Sequence, residues 1–176
     1  MDTERAEAIV LRLHHVTESS LIVMWFTRES GKLRTMAKGA RRPKSPFRGK
    51  IDLFYRAEIL FLRSRRSDLH LLHDCFLEDP HKKLRDSVEA LTASSYVGEL
   101  VDLATEWEDP NQKLFDVLCK TLDALEIQRA RPAVIVWFAT PTFSIRPLTL
   151  MLYITTPTLP VTVVGVATIS SAAKAT

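Results

Sequence analysis

The chain has 176 residues, room for one large domain or two small ones. Its 46% apolar and 26% charged residues exclude a disordered or fibrous chain. A net charge of only +3 excludes a uniformly basic protein. The charge is polarised instead, with acids concentrated after Asp68, so a basic face and a more neutral second half are expected. The N-terminus, MDTERAEAI, lacks the apolar core of a signal peptide. Two distant cysteines, Cys75 and Cys119, read as reduced core residues of a cytoplasmic protein.

Five strands are predicted in the first 79 residues. Residues 7–15 (EAIVLRLHH) alternate, with Ile9, Leu11 and Leu13 on the face expected to be buried. Residues 21–27 (LIVMWFT) form a short continuous apolar run, read as a central strand. The RESG that follows supplies a hairpin turn, with Gly31 free to take a positive φ. Residues 32–38 alternate Leu33, Thr35 and Ala37 against Lys32, Arg34, Met36 and Lys38. Residues 52–62 read as a long fourth strand. Residues 68–77 read as a fifth, with Leu69, Leu71, His73, Cys75 and Leu77 on one side. The basic turn RSRRS lies between them.

Five short strands with a long third-to-fourth connection suit an oligonucleotide/oligosaccharide-binding (OB) barrel, with an SH3-like barrel as the structural alternative. The period then changes. Leu84, Val88, Leu91, Ser95, Val97 and residues 100–103 recur at helical spacing, so residues 87–107 predict one or two helices. Leu114, Phe115, Leu118, Leu122 and Leu125 mark another. The fold class is therefore α+β: an OB-fold domain over 1–79, a helical domain over 80–138 and a divergent tail of unknown structure over 139–176. No acid follows Glu126, and residues 147–173 carry no charge. With Pro157, Pro160 and many threonines, that stretch reads as β-prone rather than as a membrane span.

The functional signal is the third-to-fourth connection. Between Arg28 and Lys50 lie nine of the chain's 24 Lys and Arg residues and one acid, Glu29. Glycines and prolines break this stretch into a loop. Lysines and arginines that neutralise phosphates release counterions and give salt-sensitive, sequence-independent affinity. The predicted DNA-binding residues are Lys32, Arg34, Lys38, Arg41, Arg42, Lys44, Arg48 and Lys50, with Phe47 in the loop to stack on a base. Catalytic and metal-ligating residues are not expected. The chain has no GxSxG, P-loop, GxGxxG, HExxH or CxxC motif. His70, His73 and Cys75 read as ordinary strand residues, because His70 points away from the other two. No cofactor is expected.

Several segments resemble the RecO family of bacterial recombination mediators. They are EAIVLRLHHVTESSLIVMWFTRESGKLR, AKGARRPKSPFRGKIDLF, ASSYVGELVDLATE and KLFDVLCKTLDALE. The resemblance covers about residues 7–138. It implies an OB fold followed by a helical domain, in a cytoplasmic, nucleoid-associated protein. It further implies binding of single- and double-stranded DNA and annealing of complementary strands. RecR and single-stranded-DNA-binding protein are the implied partners, with RecA loaded as the outcome. From Ala139 the likeness stops, and the composition there reads as an altered reading frame or a foreign C-terminus. The competing reading is a protein-interaction adaptor whose basic loop grips an acidic partner tail.

Overall fold

The computed structural model describes residues 3–127, 134–136, 148–156 and 159–169. The chain divides into two compact units, Met1–His81 with Trp107–Pro110, and Lys82–Glu106 with Asn111–Thr176.

The first unit is built on β1 (Thr3–His15), β2 (Leu21–Thr27), β3 (Gly31–Ala37), β4 (Arg56–Leu62) and β5 (Leu69–Asp79). They close into a barrel in the order β1-β2-β3-β5-β4, with β4 returning to β1. Only β3 and β5 run parallel. This is the five-stranded Greek-key closure of an OB fold, as the strand spacing predicts. Strand β1 closes the barrel because it is long enough to serve two partners. Its first half pairs with β4 and its second half with β2.

The expected faces hold in β3, where Leu33, Thr35 and Ala37 are buried. They do not hold throughout β1 and β5. In β1 Ile9 and Leu11 are buried as expected, but so is the opposite face, where Ala6, Ala8 and Val10 join the barrel's apolar cluster. An extra residue, Leu11, sits between the Val10–Trp25 and Arg12–Met24 pairs, and this bulge brings Leu13 back against the core. In β5 the extra residues are His73, between Leu72 and Asp74, and Glu78, between Leu77 and Asp79. The buried side chains are therefore His70, Leu72 and Cys75, and His73 is exposed. One inserted residue reverses the face of everything beyond it.

The fourth strand begins at Arg56, not at residue 52. Residues 52–55 form a turn in which Tyr55 N–H donates to Asp52 O at 3.1 Å and Phe54 adopts φ of 63°. Phe54 N–H donates to Val10 O, and Val10 N–H to Tyr55 O. The buried His81 donates from Nδ1 to Phe54 O at 2.8 Å, which holds this turn in place. The hydrogen-bonding role of the strand is kept, but its geometry is not.

The second unit opens with a 3-10 turn at Lys82–Asp86, then α1 (Val88–Ala104) and α2 (Gln112–Ile127). Ser87 caps α1 by accepting from Ala90 N–H, and Asn111 Oδ1 accepts from Leu114 N–H at the start of α2. Helix α1 runs unbroken through Gly98. Its buried stripe is Ala90, Ser94, Val97, Gly98 and Val101. Val88 and Leu103, expected to face inward, are 78% and 75% exposed. The small residues let a neighbour approach closely, so they define the packed face. In α2 all five predicted apolar positions are buried. Beyond it, β6 (Val134–Val136), β7 (Leu148–Thr156) and β8 (Leu159–Ile169) form an antiparallel sheet in the order β6-β7-β8. Among the described residues no helix is long and apolar enough to cross a membrane. Trp137 and Phe138, and residues 139–147, 157–158 and 170–176 of the tail, lie outside the described residues.

Candidate nucleic-acid interface

The connection from β3 to β4 is a chain of tight turns. Arg42 N–H donates to Gly39 O, Ser45 N–H to Arg42 O, Arg48 N–H to Ser45 O and Lys50 N–H to Phe47 O, at 3.0–3.2 Å. Arg48 also donates from its side chain to Pro43 O at 3.1 Å. The loop is tied to the β1–β2 turn as well, since Arg41 N–H donates to Ser19 O at 3.0 Å. A short-range turn chain of this kind holds the loop's basic side chains outward without strand pairing.

Lys38, Arg41, Arg42, Lys44 and Arg48 are exposed. No carboxylate among the described residues lies within ion-pair distance of them. Two shallow depressions lie under them. One is lined by Arg41 and Arg48 over Leu21, Phe47 and Ile51. The other is lined by Lys38 and Arg42 beside Thr17, Ser20 and Met36. Lys50 stands at one edge, 3.9 Å from Asp74 and above the Phe76 ring.

Three of the predicted contact residues are placed otherwise. Phe47 is only 6% exposed and belongs to the barrel's apolar cluster with Leu21 and Ala40. Its ring anchors the loop, with only a small part reaching the floor of the depression under Arg41 and Arg48. Lys32 is also 6% exposed, its Nζ 4.9 Å from the centre of the Trp107 ring. Arg34 pairs with Asp68, and its guanidinium lies 5.4 Å from the same ring. The pattern of β3 gives the right face for Lys32 and Arg34, but other parts of the chain already occupy it.

The helical segment expected over residues 87–107 includes Trp107, whereas α1 ends at Ala104. Trp107–Pro110 returns to the barrel and forms a single parallel bridge from Trp107 to Lys32. Glu108 N–H donates to Lys32 O at 2.8 Å. Asp109 passes so close to Gly31 that a Cβ there would stand 2.2 Å from the Asp109 carbonyl oxygen. Gly31, at φ of +68°, is the residue type that both the turn and the approach require. Glu108 Oε1 accepts from Arg63 Nη1 at 2.8 Å. It also faces His70 Nε2 at 3.1 Å. Because His70 Nδ1 accepts from Ser64 N–H, the ring proton sits on Nε2 and is aimed at Glu108. The available signal was an aromatic–acid pair held before a proline.

A closed five-stranded barrel with a preformed basic loop at its rim and helices after it defines an OB-barrel protein with a helical extension. The family described as Recombination protein O N terminal matches residues 1–81, and Recombination protein O C terminal matches residues 85–140. The chain belongs to the RecO family. Among curated relatives, DNA repair protein RecO of Salinibacter ruber is 36% identical over 127 residues, covering 72% of this chain and 49% of that protein. DNA repair protein RecO of Rhodopirellula baltica is 34% identical over 119 residues, covering 68% and 44%. The chain thus spans about half the length of the curated relatives it matches.

Proposed function

We propose that this protein is a non-catalytic DNA-binding mediator of recombinational repair. It binds single- and double-stranded DNA through Lys38, Arg41, Arg42, Lys44, Arg48 and Lys50 and anneals complementary strands. In the cytoplasm it acts with RecR and single-stranded-DNA-binding protein to load RecA. The observation that carries this reading is the anchored loop, which presents five exposed cations without a carboxylate partner among the described residues. Family membership supports the repair context. Preformed cations bind a polyphosphate without first breaking internal ion pairs, so the affinity is electrostatic and sequence-independent.

The test is oligonucleotide binding over a salt series with the chain and its Arg41→Ala/Arg42→Ala variant. The variant should bind more weakly to all sequences, with the log–log salt slope shallower by about 1 per lost duplex phosphate contact. Unchanged affinity and slope at low salt would refute the assignment. Binding to an acidic peptide with none to DNA would favour the adaptor reading.

A further inference from the structure

The outward face of β3 carries cations that the loop's chemistry does not use. Lys32 Nζ and the Arg34 guanidinium lie 4.9 and 5.4 Å from the centre of the Trp107 ring, and Arg63, just beyond β4, meets the Glu108 carboxylate. An aromatic ring on a cationic seat, followed by an anion on an arginine, is the pattern a nucleotide offers: a flat base and then a phosphate. The position agrees. OB folds bind their ligands on the face of strands 2 and 3, flanked by the first and last inter-strand loops. Here the last of those loops, between β4 and β5, holds Arg65 and Arg66, both exposed.

We infer that the β3 face, with Lys32, Arg34 and Arg63, is a second site for single-stranded nucleic acid, and that Trp107 and Glu108 fill it in the resting chain as a nucleotide mimic. This rests on the proposed nucleic-acid binding and deepens it.

The segment Trp107–Pro110 is held in a manner that suits displacement. Every residue of it is exposed, Trp107 by 43%. The Trp107–Lys32 bridge and the Glu108–Lys32 backbone hydrogen bond join it to β3, and Arg63 and His70 hold the Glu108 carboxylate. It also leaves the site incompletely satisfied, because Arg34 Nε is buried without a hydrogen-bond acceptor. A phosphate offers more acceptor oxygens than a carboxylate, and an unstacked base offers a ring to the same cations. A duplex keeps its bases stacked inside, so the ligand is single-stranded. An incoming strand competes with the segment for one surface, which makes the segment an intrinsic restraint on binding.

The experiment uses the full chain, its Trp107→Ala/Glu108→Gln variant and an oligo(dT) of about 12 nucleotides, within the length range an OB fold covers. Glu108→Gln keeps an acceptor for His70 while removing the charge. With the restraint removed, the variant should bind several-fold tighter at low salt. Arg34 keeps Asp68 and Arg63 keeps Glu4 in the variant, so its slope should steepen by about 0.7 for each of these side chains that exchanges its carboxylate for a phosphate of the single strand. A second measurement needs no substitution. In the unaltered chain, hydrogen exchange at the Glu108 amide should accelerate when oligo(dT) is added, because its bond to Lys32 O opens.

If the unaltered chain binds but the variant matches it or binds more weakly, the inference is overturned and the loop assignment stands. The same follows if Glu108 exchange is unmoved at saturating oligonucleotide. If only the variant binds, the inference holds and the loop assignment fails. If neither binds, both fail.

Discussion

Glu4 holds Arg63 in a two-pronged ion pair, with Arg63 Nε donating to Oε1 at 2.5 Å and Nη2 to Oε2 at 2.9 Å. The pair ties the start of β1 to the end of β4, where the barrel closes. The arginine hydrogen bond holds the Glu4 carboxyl below its ordinary value of 4.5, against an opposing effect of burial. A depressed folded pKa means that the contribution is complete above about pH 4.5 and is lost as pH falls through the folded value. Glu4→Gln should therefore lower stability at pH 7 by about 0.5–1 kcal/mol, since both groups are partly solvated. The gap between the variant and the parent should close in acid. Thermal unfolding from pH 3 to pH 7 checks this, and a gap that persists at pH 3 would count against it.

Inside the barrel, Trp25 donates its indole N–H to Thr35 Oγ1 at 2.8 Å, with both residues fully buried. Thr35→Val removes the acceptor and leaves a buried donor unmatched, at a cost of about 1–3 kcal/mol. In the Trp25→Phe background the same change should cost less, because no donor remains to be stranded. Urea unfolding of the four proteins measures the difference. Equal costs in both backgrounds would mean that the bond is not made.

Phe47 fixes the basic loop through its burial, so truncation should act on stability and binding together. Phe47→Ala should cost about 3 kcal/mol and weaken DNA binding although every cation remains. Phe47→Leu should restore most of both, within about 1.5 kcal/mol. A stable Phe47→Leu protein that no longer binds would show that the ring itself touches bases.

Cys75 and Cys119 form no disulfide, and both are buried. Burial pushes the Cys75 thiol up to about 12. The nucleophilic thiolate is therefore scarce as well as inaccessible at pH 8. Native protein should resist iodoacetamide for hours at pH 8, and both cysteines should alkylate once it is denatured. Rapid native labelling of Cys75 would mean that β5 opens readily.

Much of the fold is legible one strand at a time. Residues 21–27 read as β2 with the observed bounds, because a short apolar run flanked by turns has few other solutions. The apolar positions of α2 were legible for the same reason. The bulges at Leu11 and His73 were not, since an extra residue shows only as two residues facing one on a partner strand. The buried stripe of α1 was legible at Val97 and Val101 but not at Val88 and Leu103, because small residues, Ala90, Ser94 and Gly98, take the close-packed face instead.

The candidate site divides in the same way. A run of lysines and arginines broken by glycine and proline is a local property, so the basic loop and its exposed Arg41, Arg42, Lys44 and Arg48 follow from the sequence by itself. Whether a particular base is available depends on what the folded chain sets against it. Lys32 lies under Trp107, Arg34 is paired with Asp68, and Phe47 is drawn into the barrel with Leu21. Those partners lie far along the chain. Charge density is written locally, whereas occupancy of a charge is decided by closure of the barrel and the return of Trp107–Pro110 to its β3 edge.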